Sequence, residues 1–346
     1  IIDCRKCARL VRCRERAAVA PPKRFAGEAY WARPITGFGD NNSDIVLTNS
    51  DQGRSIVAVA RARKRFDFGL EAGVSYIYQD IEDRNPATSS TAGSNYAAGV
   101  SLDANGPAYG IAYDQVAHAI KFDFTFKRAF FGDYKTTLAL FGESRAGHPF
   151  SYTFRDTATR STVFGTIGTN TRYLLYVPTG INDPRVSFAN TNDAALFDAF
   201  VETSGLGKFR GQIAPRNGFR SAWVTKFDLH LSQELPTGIG DSRFTLFMDI
   251  ENFTNLLNKN WGQTREYAFP YTIAPVTVQC LTAPVATGTA PGASAAANAG
   301  QACVQYRYAA NQTQVVNGVT QFATPSDTIY SRQSLYTIRI GARISF

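Results

Sequence analysis

Long apolar runs are missing from this sequence. No window approaches the roughly 18 consecutive apolar residues that mark a membrane-crossing helix, so a helical membrane protein is excluded. Charge is scarce as well: Asp, Glu, Lys and Arg make up 18% of the 346 residues, below the roughly 25% of soluble globular chains. Nucleotide chemistry has no foothold, because neither a Gly-rich phosphate loop nor a dinucleotide fingerprint is present, and no Ser/His/Asp constellation can be assembled. His118, His148 and His230 stand alone, with no second histidine three or four residues away, so a helix-borne metal pair is excluded. His118 and His230 are expected on strand faces. What is abundant is apolar and aromatic: 44% apolar residues, including 25 Phe and 16 Tyr, rule out disorder throughout. An all-β protein remains, and among all-β proteins a membrane barrel, whose apolar residues are diluted by alternation.

The net charge of +8 is unevenly placed. Residues 1–40 hold nine basic and four acidic side chains and supply +5 of it, so the basicity describes one short segment and gives no reason to expect a nucleic-acid partner for the whole chain. Cysteines divide likewise, with Cys4, Cys7 and Cys13 in that segment and Cys280 and Cys303 far downstream. The chain begins at Ile1 with no charged-then-apolar leader, which reads as a cut or misjoined start. Ala8 to Ala20 could form a helix ended by Pro21 and Pro22, with Arg9, Arg12 and Arg16 on a solvated face.

From about Ile45 the texture becomes that of strands. Bulky apolar residues alternate with polar ones over His118–Lys127, Trp223–Ser232, Phe244–Glu251 and Tyr336–Phe346. A period of two puts one row on each face of a sheet. In a sandwich the apolar row would meet a second sheet; in a membrane barrel it would meet lipid, with the polar row in the lumen. Segments of about 9–14 residues favour the barrel, since soluble strands usually run 5–6. Tight turns at Lys64–Leu70 and Phe131–Tyr134 alternate with long stretches, 80–116, 156–221 and 253–329, as they do at the two ends of an outer-membrane barrel. Asp249 and Glu251 on one face, like Lys226 and Asp228, suit salt-bridge ladders in a lumen better than acid–base catalysis.

The run Phe244–Gly262 (FTLFMDIENFTNLLNKNWG) resembles the carboxy-terminal barrel of TonB-dependent outer-membrane receptors of the Oar-like branch. Lys64-Arg65-Phe66, Ser94-Asn95-Tyr96, Lys127–Tyr134, Gly142–Phe150, Leu174–Pro178 and Asn182-Asp183-Pro184 fit the same family. The resemblance covers about residues 45–346. It implies an incomplete antiparallel transmembrane barrel of about ten strands, short of the 22 in transporters of this type. It implies, too, a place in the outer membrane of a Gram-negative bacterium, contact with lipid, assembly by the barrel-insertion machinery, capture of an unknown ligand by the long loops, and no catalysis. The plug and the coupling box that engage TonB are not found, so TonB would be reached only through that missing region. In this family the row Tyr336, Ile338, Ile340, Ile344 and Phe346 resembles the terminal signal for insertion. Cys280 and Cys303 bracket a Thr/Ala/Pro/Gly stretch, and in an oxidising compartment they are candidates for a disulfide, whose closure removes on the order of 3 kcal/mol of chain entropy. A structural or adhesive outer-membrane barrel without transport is the other reading of this part.

Residues 1–40 resemble a different family, the amino terminus of iron–sulfur uracil-DNA glycosylases, through Cys4-Arg-Lys-Cys7-Ala-Arg-Leu10 and Tyr30-Trp31-Ala-Arg-Pro34-Ile-Thr-Gly37-Phe-Gly-Asp40. There Cys4 and Cys7 would supply two of four thiolates to a 4Fe–4S cluster. The uracil-pocket motif that should follow Asp40 is replaced by Asn41–Leu47. The segment is therefore expected to be an inactive DNA-repair remnant, joined by fusion or by a gene-model error.

Overall fold

The computed structural model describes residues 50–84, 88–91, 94–95, 99–103, 106–156, 171–240, 242–292 and 302–346. Cys4, Cys7, Cys13 and all of the glycosylase-like segment lie outside them. The described chain is all-β with few helices. None of those helices is long and apolar enough to cross a membrane.

Seven long strands build one sheet: β1 (Arg54–Arg65), β2 (Leu70–Asp83), β3 (His118–Phe131), β4 (Tyr134–Arg145), β5 (Val224–Pro236), β6 (Arg243–Glu251) and β7 (Thr337–Ser345). Each pairs antiparallel with the next in sequence, an up-and-down meander. β1 and β7 are its edges, and the described sheet is open. Of the about ten barrel strands expected, the described residues show seven long ones and the two-residue strand Gly110–Ile111, which pairs with the end of β2; the other described strands lie in separate sheets. Connections at one end have four, two and six residues; at the other end they have 34, 78 and 85. The two-residue loop needs Gly132, whose φ of 58° lies in the left-handed region that hairpin turns demand.

The long connections are not loops in the sense expected. They fold into a cap with its own core, centred on the strand Pro149–Asp156, buried at seven of its eight residues. That strand pairs with Tyr173–Leu174, Phe219–Arg220, Thr272–Ile273 and Val276–Leu281, and the last of these pairs with Gln305–Ala310. Helix α1 (Thr191–Thr203) lays Phe197, Phe200 and Val201 on the sheet, and Phe322 enters from a distant hairpin to sit 5.8 Å from the Phe197 ring. The Asn190 side chain caps α1 by accepting from the Asn192 N–H at 2.8 Å. Cys280 and Cys303 form a disulfide, with Cα atoms 5.3 Å apart, within the cap.

Candidate functional site

Register alone sorts the side chains of the wall onto two faces, since directly opposed residues in an antiparallel pair share a face. One face carries Ala58, Ala60 and Ala62; Val74, Tyr76 and Tyr78; Ile120, Phe122, Phe124 and Phe126; Leu138 and Leu140; Phe227, Leu229 and Leu231; Phe244, Leu246, Met248 and Ile250; then Ile338, Ile340, Ala342 and Ile344. Within that band no side chain is charged. Many of these groups meet solvent, Ile340 at 74% exposure being the extreme among the strand aliphatics. A contiguous exposed apolar surface of this kind marks an interface with something apolar. Ile120 to Phe130 covers about 34 Å along β3, and at a tilt near 40° this becomes about 26 Å of height, close to the apolar band of a membrane barrel. Gly142 serves this face: a β-carbon there would run into the Phe122 ring, which instead crosses the glycine to reach Phe227 at 5.1 Å.

Ile338, Ile340 and Ile344 fall on this apolar face by register, while Tyr336 lies immediately before β7 and Phe346 is fully exposed after it. Charges on this face occur only at its two ends. At the loop end Arg54 meets Asp80 at 2.8 Å and Glu82 at 3.1 Å, and the Tyr109 hydroxyl donates to Glu82. At the turn end stand Lys64 and Arg128.

The opposite face carries a ladder of charge, interspersed with Val57, Val59, Ile77, Phe141 and Phe247. Arg63 and Arg65 both meet Glu71, Lys121 meets Glu143 at 3.2 Å, and Arg243 meets Glu234 at 2.8 Å. Arg61 reaches Asp123 at 3.8 Å across Gly73, whose missing side chain leaves room for the carboxylate. His230 lies 2.6 Å from Asp249, and Arg339 approaches Asp249 and Glu251 at 4.0 and 3.1 Å. Asp249 and Glu251 are thus spent on cross-strand ion pairs. Each pair is half-exposed and contributes little alone, so the ladder's role is to present charge rather than to hold the sheet. His118 sits at the loop end against the Tyr76 hydroxyl at 2.8 Å, and His148 stacks on Tyr271 at 3.7 Å. Among the described residues no group of His, Cys, Asp and Glu could hold a metal ion.

Residues that sequence reasoning missed join the cap to the wall. Arg216 is buried, donates to the Asp83 carboxylate at 2.6 Å and to the carbonyls of Asp83 and Ala108 at 2.6 and 2.9 Å, and lies over the Tyr113 ring. Arg145 of β4 meets Glu266 of the cap at 3.8 Å. Within the cap, burial pushes the Asp183 carboxyl up, but the N–H groups of Thr179 and Arg185 and the Tyr176 hydroxyl outweigh it and hold the group below the usual carboxylate value. Burial raises the Tyr308 phenol well above its ordinary value, and its hydroxyl donates to the Tyr176 carbonyl at 2.7 Å. The pairings of Arg216, Arg145 and Tyr308 had no signal in the sequence, because each joins segments brought together only by the folded cap, whereas the partners of Asp183 lie within seven residues of it.

No family model matches the chain, and no solved structure matches it. A stretch of 44 residues, 13% of the chain, is 52% identical to a type-5 uracil-DNA glycosylase of Thermus thermophilus. The chain spans only 20% of that relative's length. The similarity agrees with the glycosylase resemblance of the amino-terminal segment.

Proposed function

We propose that residues 45–346 form wall and outer cap of a TonB-dependent outer-membrane receptor of the Oar-like branch, a transporter for ligand uptake rather than an enzyme. The observation that carries this reading is the two-faced meander: a charge-free apolar band on one face, an ion-pair ladder on the other, short turns at one end and a folded cap at the other. In the proposed setting the band meets lipid, the ladder lines the lumen and the cap captures ligand at the outer mouth. The disulfide suits an oxidising compartment. The test is fractionation of cells expressing the chain. Recovery with the outer membrane, with heat-modifiable migration on electrophoresis, is expected; a soluble monomer that needs no detergent would overturn the reading.

A second reading concerns the glycosylase-like segment, favoured by its 52% identity to the Thermus protein. This segment is a DNA-repair remnant without activity, since Cys4 and Cys7 are two ligands where a 4Fe–4S cluster needs four and the pocket motif is missing. Purified chain should excise no uracil from DNA. Excision above a no-enzyme control would reverse this conclusion.

A further inference from the structure

The two ends of the apolar face treat charge differently. At the loop end the charges satisfy one another, Arg54 with Asp80 and Glu82. At the turn end Lys64 and Arg128 take part in none of the ion pairs among the described residues, although Arg63 and Arg65, the ladder-face neighbours of Lys64, are both paired to Glu71. Each free cation instead rests on phenylalanine. The Lys64 Nζ lies 4.9 Å from the Phe66 ring centre, and the Phe68 ring lies tilted against Phe66 with centres 5.4 Å apart. The Arg128 guanidinium lies 6.0 Å from the Phe130 ring centre, with Phe126 6.2 Å from that ring. Phe68 and Phe130 are more than half exposed. The same arrangement, one cation over the first of two phenylalanines, thus occurs twice at the same end of the same face.

We infer that Lys64 with Phe66 and Phe68, and Arg128 with Phe126 and Phe130, are two headgroup sites for anionic phospholipid at the turn-side surface of the bilayer. The inference rests on the membrane reading proposed above. Charge complementarity selects the occupant. A cation at the margin of an apolar band lays its stem on the rings and its head at the surface, where only a lipid phosphate can complete it. Two-ring aromatic supports hold each head at the depth of that phosphate and strengthen the site through the ring quadrupole. A zwitterionic headgroup already balances its phosphate with its own ammonium, so the headgroup that best complements two cations left without a carboxylate, unlike Arg54 on the same face, is one of net negative charge.

The test uses the full chain folded into phosphatidylcholine vesicles, in a background where Trp31, Trp223 and Trp261, the three tryptophans, are changed to Phe. Single reporters are then introduced as Phe66→Trp, Phe130→Trp and, in the middle of the band, Ile340→Trp. Quenching by phosphatidylglycerol with brominated chains is compared with quenching by brominated phosphatidylcholine. The two end reporters should prefer phosphatidylglycerol by about fivefold, the effect of one cation near an anionic surface, and lose the preference with Lys64→Gln or Arg128→Gln respectively. Ile340→Trp should be quenched equally by both lipids. If Ile340→Trp is quenched but the end reporters ignore the headgroup, the two sites are wrong and the membrane wall stands. A preference that survives both Gln substitutions also overturns the assignment to these cations. If Ile340→Trp is not quenched at all, the wall reading falls and the sites with it.

Discussion

Arg216 and Arg210 are both ion-paired arginines of the cap, yet burial gives them different weights. The Arg216 side chain is 2% exposed, and it answers two carbonyls and the Asp83 carboxylate. Arg216→Met would leave Asp83 without its charge partner and two carbonyls without a donor, and should cost about 3–5 kcal/mol at the junction of cap and wall. Arg210 meets Asp198 and Glu202, whose side chains are 37% and 63% exposed, so Arg210→Met should cost less than about 1 kcal/mol. Urea unfolding of the two variants in detergent compares them directly; equal losses would contradict the burial argument. Tyr308 supplies a pH-dependent case. Its folded phenol titrates above the ordinary value of 10.0 because burial penalises the phenolate. A raised folded value means that its contribution is fully present below pH 10 and is lost as the pH rises beyond it. Tyr152 is shifted in the same direction by burial. Cap stability should therefore fall on raising the pH above about 10, and the fall should be shallower in the double variant Tyr152→Phe, Tyr308→Phe than in the parent chain.

At the scale of elements, β7 tests the assignment of faces. Ile340 lies on the apolar row opposite Met248, whereas Arg343 lies on the ladder face opposite Thr245. Ile340→Arg should cost about 2–4 kcal/mol near the middle of a bilayer and lower the amount assembled in the outer membrane, while Arg343→Ala should be mild. If Arg343→Ala were the worse of the two, the faces would be inverted. The alternation that makes this prediction possible was legible in the sequence: His118–Lys127, Trp223–Ser232, Phe244–Glu251 and Tyr336–Phe346 all lie in or beside wall strands. Such strands have one apolar and one polar side, and a period of two records that environment directly. The cap left a much weaker record. Its central strand, Pro149–Asp156, does alternate Phe150, Tyr152 and Phe154 with Ser151, Thr153 and Arg155, but both rows are buried apart from Arg155, and most of its partner strands are only two residues long, too short to show a period. Phe197 and Phe322 meet across more than a hundred residues of chain. A core assembled from such distant single contacts has no local periodicity, and 156–221 and 253–329 therefore read as loops.

At the scale of the molecule, the meander divides the chain into two ends that should lie on opposite sides of one membrane. Because each wall strand reverses the one before it, the turns at 66–69, 132–133 and 237–242 share one end, and the whole cap shares the other. If the apolar band sits in a bilayer, a polar reagent that cannot cross it must reach one set and not the other. Two positions with little structural cost make suitable reporters. Asp133 lies in the hairpin loop between β3 and β4, and Gly318 at the tip of the cap hairpin Thr313–Val316/Val319–Phe322 has open space where a β-carbon would stand. Gly318 has a φ of 77°, so a cysteine there carries some backbone strain, but in a surface hairpin its effect should stay local. With Cys4, Cys7 and Cys13 changed to Ser and Cys280 tied to Cys303, each reporter becomes the one free thiol in its chain. In intact cells a charged maleimide should label Gly318→Cys and leave Asp133→Cys unlabelled until the outer membrane is made permeable. Labelling of Asp133→Cys alone would place the cap on the inner side, and a ligand could not then be captured from outside. Labelling of both in intact cells would mean that no membrane separates the two ends, and the charge-free band on the wall would need an apolar partner other than lipid.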